Sequence, residues 1–393
     1  MKIVHVIGSI DPAFGGPPGV VMRIAAAQAA KGHDVHIVSY ASAEAEPRIR
    51  RALLDVPGVL DVERHLLPEP GRSERMLALA TRRPLANLIA GADAVHLHGV
   101  WEPILRQAAG VARAAGIPYC VRLAGMLDPW SLRQKYWKKR IALALGYRRM
   151  LDEAAFIHVL NDDEARLLAP LNLRAPTRTI PNGIFLDEIE PLPPKGSFSN
   201  QHSALAGRRY VLFLSRLHTK KGLDYLVDAY ARLAPAWPDV DLVIAGPDDG
   251  AEASLRSAIA THGLGKRVHL VGGLYGREKL EALCDAACFC LPSRQEGFSV
   301  AITEALACGA PVVISKECHF PEVAAVGAGM VVELNAEAVA KALSAVLADA
   351  ALAERMGAAG RALVKQRFTW PVIADMTIEA YAHGHGEVPR MAA

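Results

Sequence analysis

Short apolar runs alternate with helical patterns along the chain, and this alternation is the strongest constraint on its fold. Six apolar runs in the first half have the length of strands, at 3–8, 34–40, 94–98, 118–123, 155–159 and 177–180. Helical patterns lie between them, at 19–30, 103–115 and 132–152. Such alternation is typical of parallel sheets with helices on both faces. We therefore expect an open α/β sheet in the first half.

A second series of the same kind follows, at 209–214, 240–245, 267–271, 287–291, 311–314 and 330–332. A chain of 393 residues is too long for one ordinary core and suits two α/β domains. We predict a first domain over 1–190 and a second over 209–369. A stretch rich in proline, glycine and polar residues, 191–208, is expected to link them. The last helical segment, 370–393, follows the second sheet and can return to the first domain.

Composition excludes several classes of protein. The sequence is 51% hydrophobic and 22% charged, which is typical of a soluble globular chain. It has no run of 18 apolar residues and starts directly with a strand-like segment, so we expect a cytoplasmic protein without a signal peptide. A net charge of +3 is too small to indicate nucleic acid as a partner.

The six cysteines form no C-x-x-C pair, and most lie in apolar segments. We expect reduced, buried thiols. A metal site made from Cys284, Cys288 and Cys290 is disfavoured, because metal ligands at this spacing would need a loop and 287–291 has the pattern of a buried strand.

The segment 292–313 carries the strongest chemical signal. It follows a buried strand, turns at Gly297, and opens a helix near Ser299 that ends at Gly309. Glu296 then lies on the loop at the carboxyl end of a strand, and Glu304 lies in the second turn of the helix. Ligands of open α/β sheets bind at that edge, and backbone amides at a helix start suit a diphosphate. The two carboxylates suit sugar hydroxyls; a lone E-x7-E pattern would otherwise be ordinary surface charge.

A second segment, 215–224, also follows a strand and opens a helix. It places Arg216 and Lys221 at the same edge of the same predicted sheet. Two fixed cations beside a helix start form a site for a diphosphate. Solvated surface charge is the alternative for either residue taken alone.

Together these segments resemble family 4 of the glycosyltransferases. The family consists of retaining enzymes with the GT-B fold, two Rossmann-like doubly wound parallel-sheet domains facing each other across a cleft. Its signature couples a strand-end Arg and Lys-Gly with a downstream E-x7-E. The resemblance covers essentially the whole chain, including Gly15-Gly16 after the first strand and Ile180-Pro181-Asn182-Gly183 before the linker.

The resemblance implies a role for each matched residue. Arg216 and Lys221 would bind the diphosphate and stabilise the departing phosphate, Glu304 would hold the ribose, and Glu296 the donor sugar. The backbone at Gly15, Gly16 and Gly297, with Phe298 and Ser299, would line the phosphates. No cofactor or metal is implied, and the nucleotide-sugar donor, a UDP- or GDP-sugar, is a cosubstrate.

One departure concerns the loop after the fourth predicted strand, 118–123. The family commonly has a His or another polar residue before a glycine there, but this chain has Ala124 before Gly125. His98 or Arg122 could take over that contact with the sugar. Asp128 and Trp130, on the following segment, are candidates for contact with the acceptor.

Two acidic patterns could suggest a metal. Asp239-Val240-Asp241 matches the D-x-D pattern of a different glycosyltransferase fold, but it lies at the start of a strand, where we expect solvent exposure. Asp248-Asp249-Gly250 has the pattern of a turn and helix cap. We therefore expect a metal-independent enzyme.

The segment 133–149 has seven basic residues and no acidic one. As one helix it would place Lys135, Lys138, Lys139 and Arg149 on one face. That face would be merely solvated, or it would rest on an anionic membrane and present a lipid-linked acceptor. The expected function is sugar transfer in cell-surface polysaccharide or glycolipid synthesis. The alternatives are another GT-B sugar-nucleotide enzyme, such as an epimerase or phosphorylase, and a non-catalytic nucleotide-binding protein.

Overall fold

A computed structural model describes residues 1–71 and 78–384 of the chain. The chain divides into two compact units. The first contains Met1–Asn182 together with the C-terminal segment from Trp370, and the second is Gly183–Thr369.

The first unit is built on a seven-stranded sheet whose strand pairs are all parallel. Its order is β3-β2-β1-β4-β5-β6-β7. The strands are β1 Lys2–Ser9, β2 Asp34–Ala41, β3 Glu63–Pro68, β4 Ala94–His98, β5 Tyr119–Arg122, β6 Phe156–Val159 and β7 Thr177–Thr179. Helices that connect them are α1 Gly16–Ala29, α2 Glu46–Leu54, α3 Arg82–Ile89, α4 Pro103–Ala114, α5 Pro129–Arg133, α6 Tyr136–Ala142, α7 Arg148–Asp152 and α8 Asp162–Leu168.

The second unit has a six-stranded parallel sheet in the order β10-β9-β8-β11-β12-β13. Before it lies α9 Ser197–Gln201. The strands are β8 Arg209–Leu214, β9 Val240–Ala245, β10 Val268–Gly272, β11 Cys288–Leu291, β12 Val312–Ser315 and β13 Gly329–Val332. The helices are α10 Leu223–Leu233, α11 Glu252–Thr261, α12 Gly276–Asp285, α13 Val300–Ala307, α14 Glu322–Ala325, α15 Ala336–Ala348 and α16 Ala350–Arg367. Trp370–Gly384 forms the last helix, α17, which belongs to the first unit and packs against α1.

The two parallel α/β sheets predicted from the sequence are confirmed. Each predicted strand matches an observed strand to within two residues at either end. Edge strand β3 was missed, because its sequence Glu-Arg-His-Leu-Leu-Pro is half polar and no residue of it is fully buried. Strands buried on both faces give stronger apolar runs.

The helix predicted over 132–152 is wrong as one continuous helix. Lys135 adopts a left-handed conformation with φ 53°, which separates α5 from α6. A second break follows in 143–147, where Gly146 has φ 103°. Glycine adopts such angles readily and is a poor helix former, so the second break falls where the sequence permits it. The basic residues of 133–149 therefore do not share one helix face.

The segment predicted as a linker, 191–208, has a defined structure within the second unit. The carboxylate of Asp285 accepts hydrogen bonds from the backbone N–H groups of Gly196, Phe198 and Ser199, at 2.6 to 3.0 Å. It thereby satisfies the first N–H groups of α9. The ring of Phe198 is buried in the core of the second unit. Among the described residues, no helix combines the length and apolar character needed to cross a bilayer.

Candidate active site

The order of strands reverses at one point in each sheet, between β1 and β4 in the first unit and between β8 and β11 in the second. Loops on either side of such a point diverge and leave a crevice at the carboxyl edge of the sheet, where ligands bind. In the second unit these loops are 215–222 and 292–299, the two segments singled out in the sequence. In the first unit they are the loop that contains Gly15 and the loop that follows His98, the last residue of β4.

Two glycines let the loops of the second unit meet. A Cβ atom on Gly222, which has φ +68°, would lie 1.8 Å from the carbonyl oxygen of Pro292. One on Gly246, with φ +151°, would lie 1.8 Å from the carbonyl oxygen of Ser215. No larger residue fits either position without moving the backbone. The glycine of the Lys-Gly pair therefore holds Lys221 against the loop that carries Glu296.

Lys221 and Glu296 form an ion pair. The distance from Nζ to Oε1 is 2.6 Å, and the two side chains are 14% and 8% exposed. The hydroxyl of Ser293 donates to the same carboxylate oxygen at 2.6 Å, and the backbone N–H of Glu296 donates to Glu317. A charge-assisted bond of this kind fixes both side chains. The sequence prediction that these residues lie together at the carboxyl edge thus agrees with their geometry.

The other two charged residues of the motif have partners that sequence reasoning missed. Arg216 is exposed, and its Nη1 lies 2.5 Å from Oδ2 of Asp249. Glu304 accepts from Nζ of Lys279 on α12 at 2.6 Å. The sequence gives no signal for either pairing, because both partners come from other loops or helices that the sheet brings close.

Helix α13 starts directly after the loop, with Ser299 as the residue that precedes its first turn. The backbone at Gly297 is half-buried, and Ser299 is buried. Phe298 turns its ring inward, with ring centroids 5.4 Å from Phe320 and 5.8 Å from Phe368. The ring is therefore turned away from the loop surface, and the predicted contact of Phe298 with a phosphate would use its backbone.

In the first unit, Gly15 and Gly16 lie between β1 and α1. Gly15 has φ 86° and ψ −138°, a conformation that side chains disfavour, and α1 begins at Gly16. No heavy atom of the described residues lies within 4 Å of a Cβ built on either glycine. The start of α1 is therefore open to a ligand.

Beside this loop, one face of the first sheet buries a layer of polar side chains. His5 pairs with His96 in the register of β1 and β4, and Arg122 pairs with both His98 and His158. Since side chains two residues apart share a face, all five lie on one side of the sheet. Helices α1 and α17 cover this layer with Gln28, Thr377 and Tyr381, which bond to the histidines or to one another.

The hydrogen bonds assign one proton position to each of the four histidines of this layer. The carbonyl of Ile180 can only accept, so His158 donates to it from Nε2 at 2.7 Å. His158 Nδ1 then accepts from Nε2 of His96 at 3.1 Å, and His96 Nδ1 accepts from the hydroxyl of Tyr381 at 2.7 Å.

The same reasoning continues through Gln28. Its amide nitrogen donates to Thr377 at 2.8 Å, so its oxygen accepts from Nε2 of His5 at 2.7 Å. His5 Nδ1 therefore accepts from Nε2 of His98 at 2.9 Å. The remaining nitrogen, Nδ1 of His98, is a buried acceptor without a partner among the described residues.

Burial keeps these imidazoles neutral. It lowers the pKa of His5 to about 4, against the hydrogen bond with Gln28 that raises it. Burial, with the nearby charge of Arg122, lowers the pKa of His158 to about 3. The pKa values of His96 and His98 also lie well below the ordinary value, chiefly because of burial. Neutral imidazoles are what the chain of bonds requires.

The other candidates of the first unit have local roles. Arg122 is buried and donates to Oδ1 of Asn182 at 2.7 Å, and burial lowers its pKa to about 10. Asp128 caps α5 by accepting the N–H of Ser131. Trp130 lies in α5, but its side chain is outside the described part of the structure.

The turn at Ala124 is held by a buried carboxylate. Ala124 has φ 49° and Gly125 has φ 77°. Glu164 accepts from the N–H of Gly125 at 2.6 Å and from that of Leu160 at 2.7 Å, and burial raises its pKa. Sequence reasoning missed Glu164, although Asn161 three residues before it gives the pattern of a capping box.

Two groups of the described residues could hold a metal ion, and both lie in the first unit. His5, His96 and His98 place one ligand atom each within 4.8 Å of one another, as do His36, Glu63 and His65. In the first group, every nitrogen except Nδ1 of His98 is already hydrogen-bonded.

The expectation that Asp241 is solvent-exposed is wrong. It is 1% exposed and accepts from Arg208, Arg267 and His269, so its role is structural. Asp248 accepts the N–H groups of Gly250, Ala251 and Glu252, as a turn and helix cap would.

Comparison with known families matches both units. Residues 15–183 match the model of the glycosyl transferase 4-like domain. Residues 195–363 match that of glycosyl transferases group 1.

Individual proteins match over most of the chain. A GDP-mannose:cellobiosyl-diphosphopolyprenol alpha-mannosyltransferase of Xanthomonas oryzae is 29% identical over 100% of this chain and 99% of its own. An alpha-maltose-1-phosphate synthase of Mycobacterium tuberculosis is 28% identical over 80% of this chain and 86% of its own. The crystal structure of Anabaena HepE in complex with UDP superposes with a TM-score of 0.77 at 19% identity, covering 97% of this chain and 100% of HepE. This last likeness concerns the fold.

Proposed function

Because the chain belongs to the family 4-like glycosyltransferases of the GT-B fold, we propose that it transfers a sugar with retained anomeric configuration from a nucleoside-diphosphate sugar to a glycan or lipid-linked acceptor. The observation that carries this proposal is the crossing of two loops at the reversal point of the second sheet. There the ion pair of Lys221 and Glu296 lies beside the open end of α13. We assign the product to cell-surface polysaccharide or glycolipid synthesis.

The charges at this edge fit a leaving diphosphate. Lys221 is nearly buried, and Arg216 is exposed on the neighbouring loop, so both can approach a phosphate as negative charge grows on it. Fixed cations act most strongly on charge that develops in the transition state. The Glu296 carboxylate would accept hydrogen bonds from hydroxyls of the sugar, and the Glu304 carboxylate from hydroxyls of the ribose. Asp249 and Lys279 pair with Arg216 and Glu304.

These cations also support a reaction without a metal ion. Asp241 of the D-x-D pattern is bound by three basic side chains, and Asp248 is occupied as a helix cap. Neither offers a free carboxylate at the loop crossing. Lys221 and Arg216 supply the positive charge that a divalent cation would otherwise provide.

GDP-mannose is the first donor to test, because the full-length Xanthomonas relative is named for that donor. We expect release of GDP from GDP-mannose to exceed release of UDP from UDP-glucose. NMR of the product is expected to show the anomeric configuration of the donor. An inverted product would refute the proposed stereochemistry, and failure of every nucleoside-diphosphate sugar to react or to raise the melting temperature would refute the function.

A lipid-linked acceptor is supported by an apolar patch in 136–145. Trp137, Ile141 and Leu145 are 70%, 58% and 63% exposed. Lys138 and Arg140 are exposed beside them, and the guanidinium of Arg140 lies 5.8 Å from the ring of Trp137. Exposed aromatic and aliphatic side chains together with cations are typical of a surface that rests on anionic lipid.

This patch replaces the basic face predicted from the sequence. Lys139 donates instead to the carbonyl of Ser131 at 2.6 Å, and Arg149 is paired with Glu153 at 2.9 Å. Both residues therefore have partners within the protein.

Vesicle sedimentation tests the patch. Wild type is expected to pellet with vesicles that contain phosphatidylglycerol and to stay in solution with phosphatidylcholine. The Trp137→Ser/Ile141→Ser and Lys138→Gln/Arg140→Gln variants are expected to stay in solution with both. The control Lys341→Gln/Lys365→Gln removes equal charge from exposed positions of the second unit. If wild type stays in solution with anionic vesicles at low salt, membrane contact is contradicted and a soluble acceptor is favoured.

A further inference from the structure

The second unit has a cavity at the amino edge of its sheet, opposite the edge that carries Lys221 and Glu296. Its volume is about 620 Å³. Arg209, the first residue of β8, contributes to the wall, as do Ala287 before β11 and Pro311 before β12. Helix α16 closes another side with Glu354, Gly357 and Arg361.

Positive charge predominates in this cavity. Its wall contains Lys195, Arg209 and Arg361 against one carboxylate, Glu354. The guanidinium of Arg209 already donates hydrogen bonds to the carboxylate of Asp239 and to the carbonyl of Leu347. The guanidinium of Arg361 packs on Gly309, where a Cβ atom would lie 1.8 Å from its Nη1. Lys195 and Arg361 are therefore the cations available to a ligand.

Two thiols lie in the same wall, Cys284 at the end of α12 and Cys308 at the end of α13. Cys284 is half-buried, whereas the other five cysteines of the chain are buried. The hydrogen bond from Cys308 lowers the pKa of the Cys284 thiol, and the charges of Arg361 and Lys195 lower it further, against burial and Asp285. The same bond raises the pKa of Cys308. Thiolates are the nucleophilic form of cysteine.

From the cavity, the half-buried thiol in its wall and the two cations we infer that Cys284 is a modification site for low-molecular-weight disulfides that carry negative charge. The Cys284 thiolate attacks one sulfur of the disulfide. The S–S bond breaks, a mixed disulfide forms on Cys284, and the other half leaves as a thiolate that takes up a proton from water. Lys195 and Arg361 hold the carboxylates of the incoming molecule. Cys308 acts through Cys284 as a positioning residue.

Two reagents of different charge test this site on the native enzyme. Dithiobis-nitrobenzoate is a dianionic disulfide, and dithiodipyridine is a neutral one. With the dianion, we expect one thiol per chain to react at least about tenfold faster than the others, since reactivity follows thiolate character and exposure. The fast phase is expected to disappear in Cys284→Ser and to slow with both reagents in Cys308→Ala.

Charge variants separate the pocket from the thiol. The ratio of interest is the rate of reaction with the dianionic reagent divided by the rate with the neutral reagent. Lys195→Gln and Arg361→Gln are each expected to lower this ratio by about three- to tenfold at low salt, and by less at high salt. Glu354→Gln, a matched change of opposite sign, is expected to raise that ratio. A substitution that changes the thiolate fraction of Cys284 changes both rates by the same factor. The ratio of the two rates within one variant therefore does not depend on that fraction.

Three outcomes would overturn the inference. The first is that no thiol reacts faster than the others. The second is a fast phase that persists in Cys284→Ser. The third is a ratio of the two rates, dianionic over neutral reagent, that is the same in wild type and in the charge variants. None depends on glycosyl transfer, so the inference stands or falls apart from the proposed function.

Discussion

The buried histidines of the first unit are expected to make its stability strongly dependent on pH. Their folded pKa values lie below that of an unfolded histidine, about 6.5. Below pH 6.5 the unfolded chain therefore binds more protons than the folded chain, and stability falls as pH falls. The loss continues until pH reaches the folded values, about 4 for His5 and about 3 for His158. Above neutral pH these groups have no effect.

The magnitude follows from these values. Between pH 7 and pH 5 an unfolded histidine takes up most of a proton, whereas His5 and His158 take up about a tenth or less. Each therefore lowers the free energy of unfolding by about 2 kcal/mol, or about 4 kcal/mol for the two. His96 and His98 act in the same direction. Domains commonly have only about 5–15 kcal/mol of stability, so the first unit should be close to unfolding near pH 5.

Urea unfolding followed by tryptophan fluorescence measures this loss. Four of the five tryptophans, at 101, 130, 137 and 370, belong to the first unit, so the signal reports mainly on it. His158→Gln is expected to reduce the difference between pH 7 and pH 5 by about 2 kcal/mol, whatever its cost at pH 7. The control His262→Gln, which removes a surface histidine paired with Asp228, checks for effects of losing an imidazole elsewhere.

Two results would refute the reasoning. The first is a His158→Gln variant whose difference in the free energy of unfolding between pH 7 and pH 5 equals that of wild type to within about 0.5 kcal/mol, since a folded pKa near 3 requires a change of about 2 kcal/mol. The second is a nitrogen NMR spectrum in which the four histidines are not neutral with the proton on Nε2. That spectrum would show that the deduced chain of hydrogen bonds is wrong.

Other predictions concern the reaction. Lys221→Ala and Arg216→Ala are each expected to lower kcat by about 10²- to 10³-fold. Lys220→Ala is the matched control, since the amine of Lys220 bonds to Gln295, and it is expected to leave kcat unchanged. A rise in KM without a change in kcat would limit Lys221 and Arg216 to ground-state binding. His98→Asn keeps a hydrogen-bond acceptor near the position of Nδ1 and is expected to preserve the KM for the nucleotide-sugar donor. His98→Gln keeps only the N–H that bonds to His5 and is expected to raise this KM; the reverse order would give His98 a structural role. Activity is expected to survive EDTA, and a strict requirement for added Mg²⁺ or Mn²⁺ would contradict the metal-free proposal.

The sheets and the main site motifs could be predicted because their signals are local. A strand followed by a loop and a helix places Glu296 at a carboxyl edge from about ten residues of sequence, and the same holds for Lys221. Their contact also follows, because β8 and β11 are neighbours at the point where the strand order reverses. Gly222 has a local signal as well, although only the structure shows that Pro292 is what it must avoid.

The histidine layer could not be predicted in the same way, because its members are distant in sequence. Gln28 and His96 both form hydrogen bonds with Tyr381, from which they are separated by 353 and 285 positions in the sequence. A histidine that alternates with apolar residues in a strand has the same pattern whether it is a core residue or a ligand. Only the chain of partners shows that, among the described residues, His98 is the one imidazole of the four with an unpaired nitrogen. The same limit explains Asp241, whose position at a strand start suggested exposure until Arg208, Arg267 and His269 were found around it. Buried polar groups are decided by their partners, and those partners are set by topology rather than by neighbouring residues.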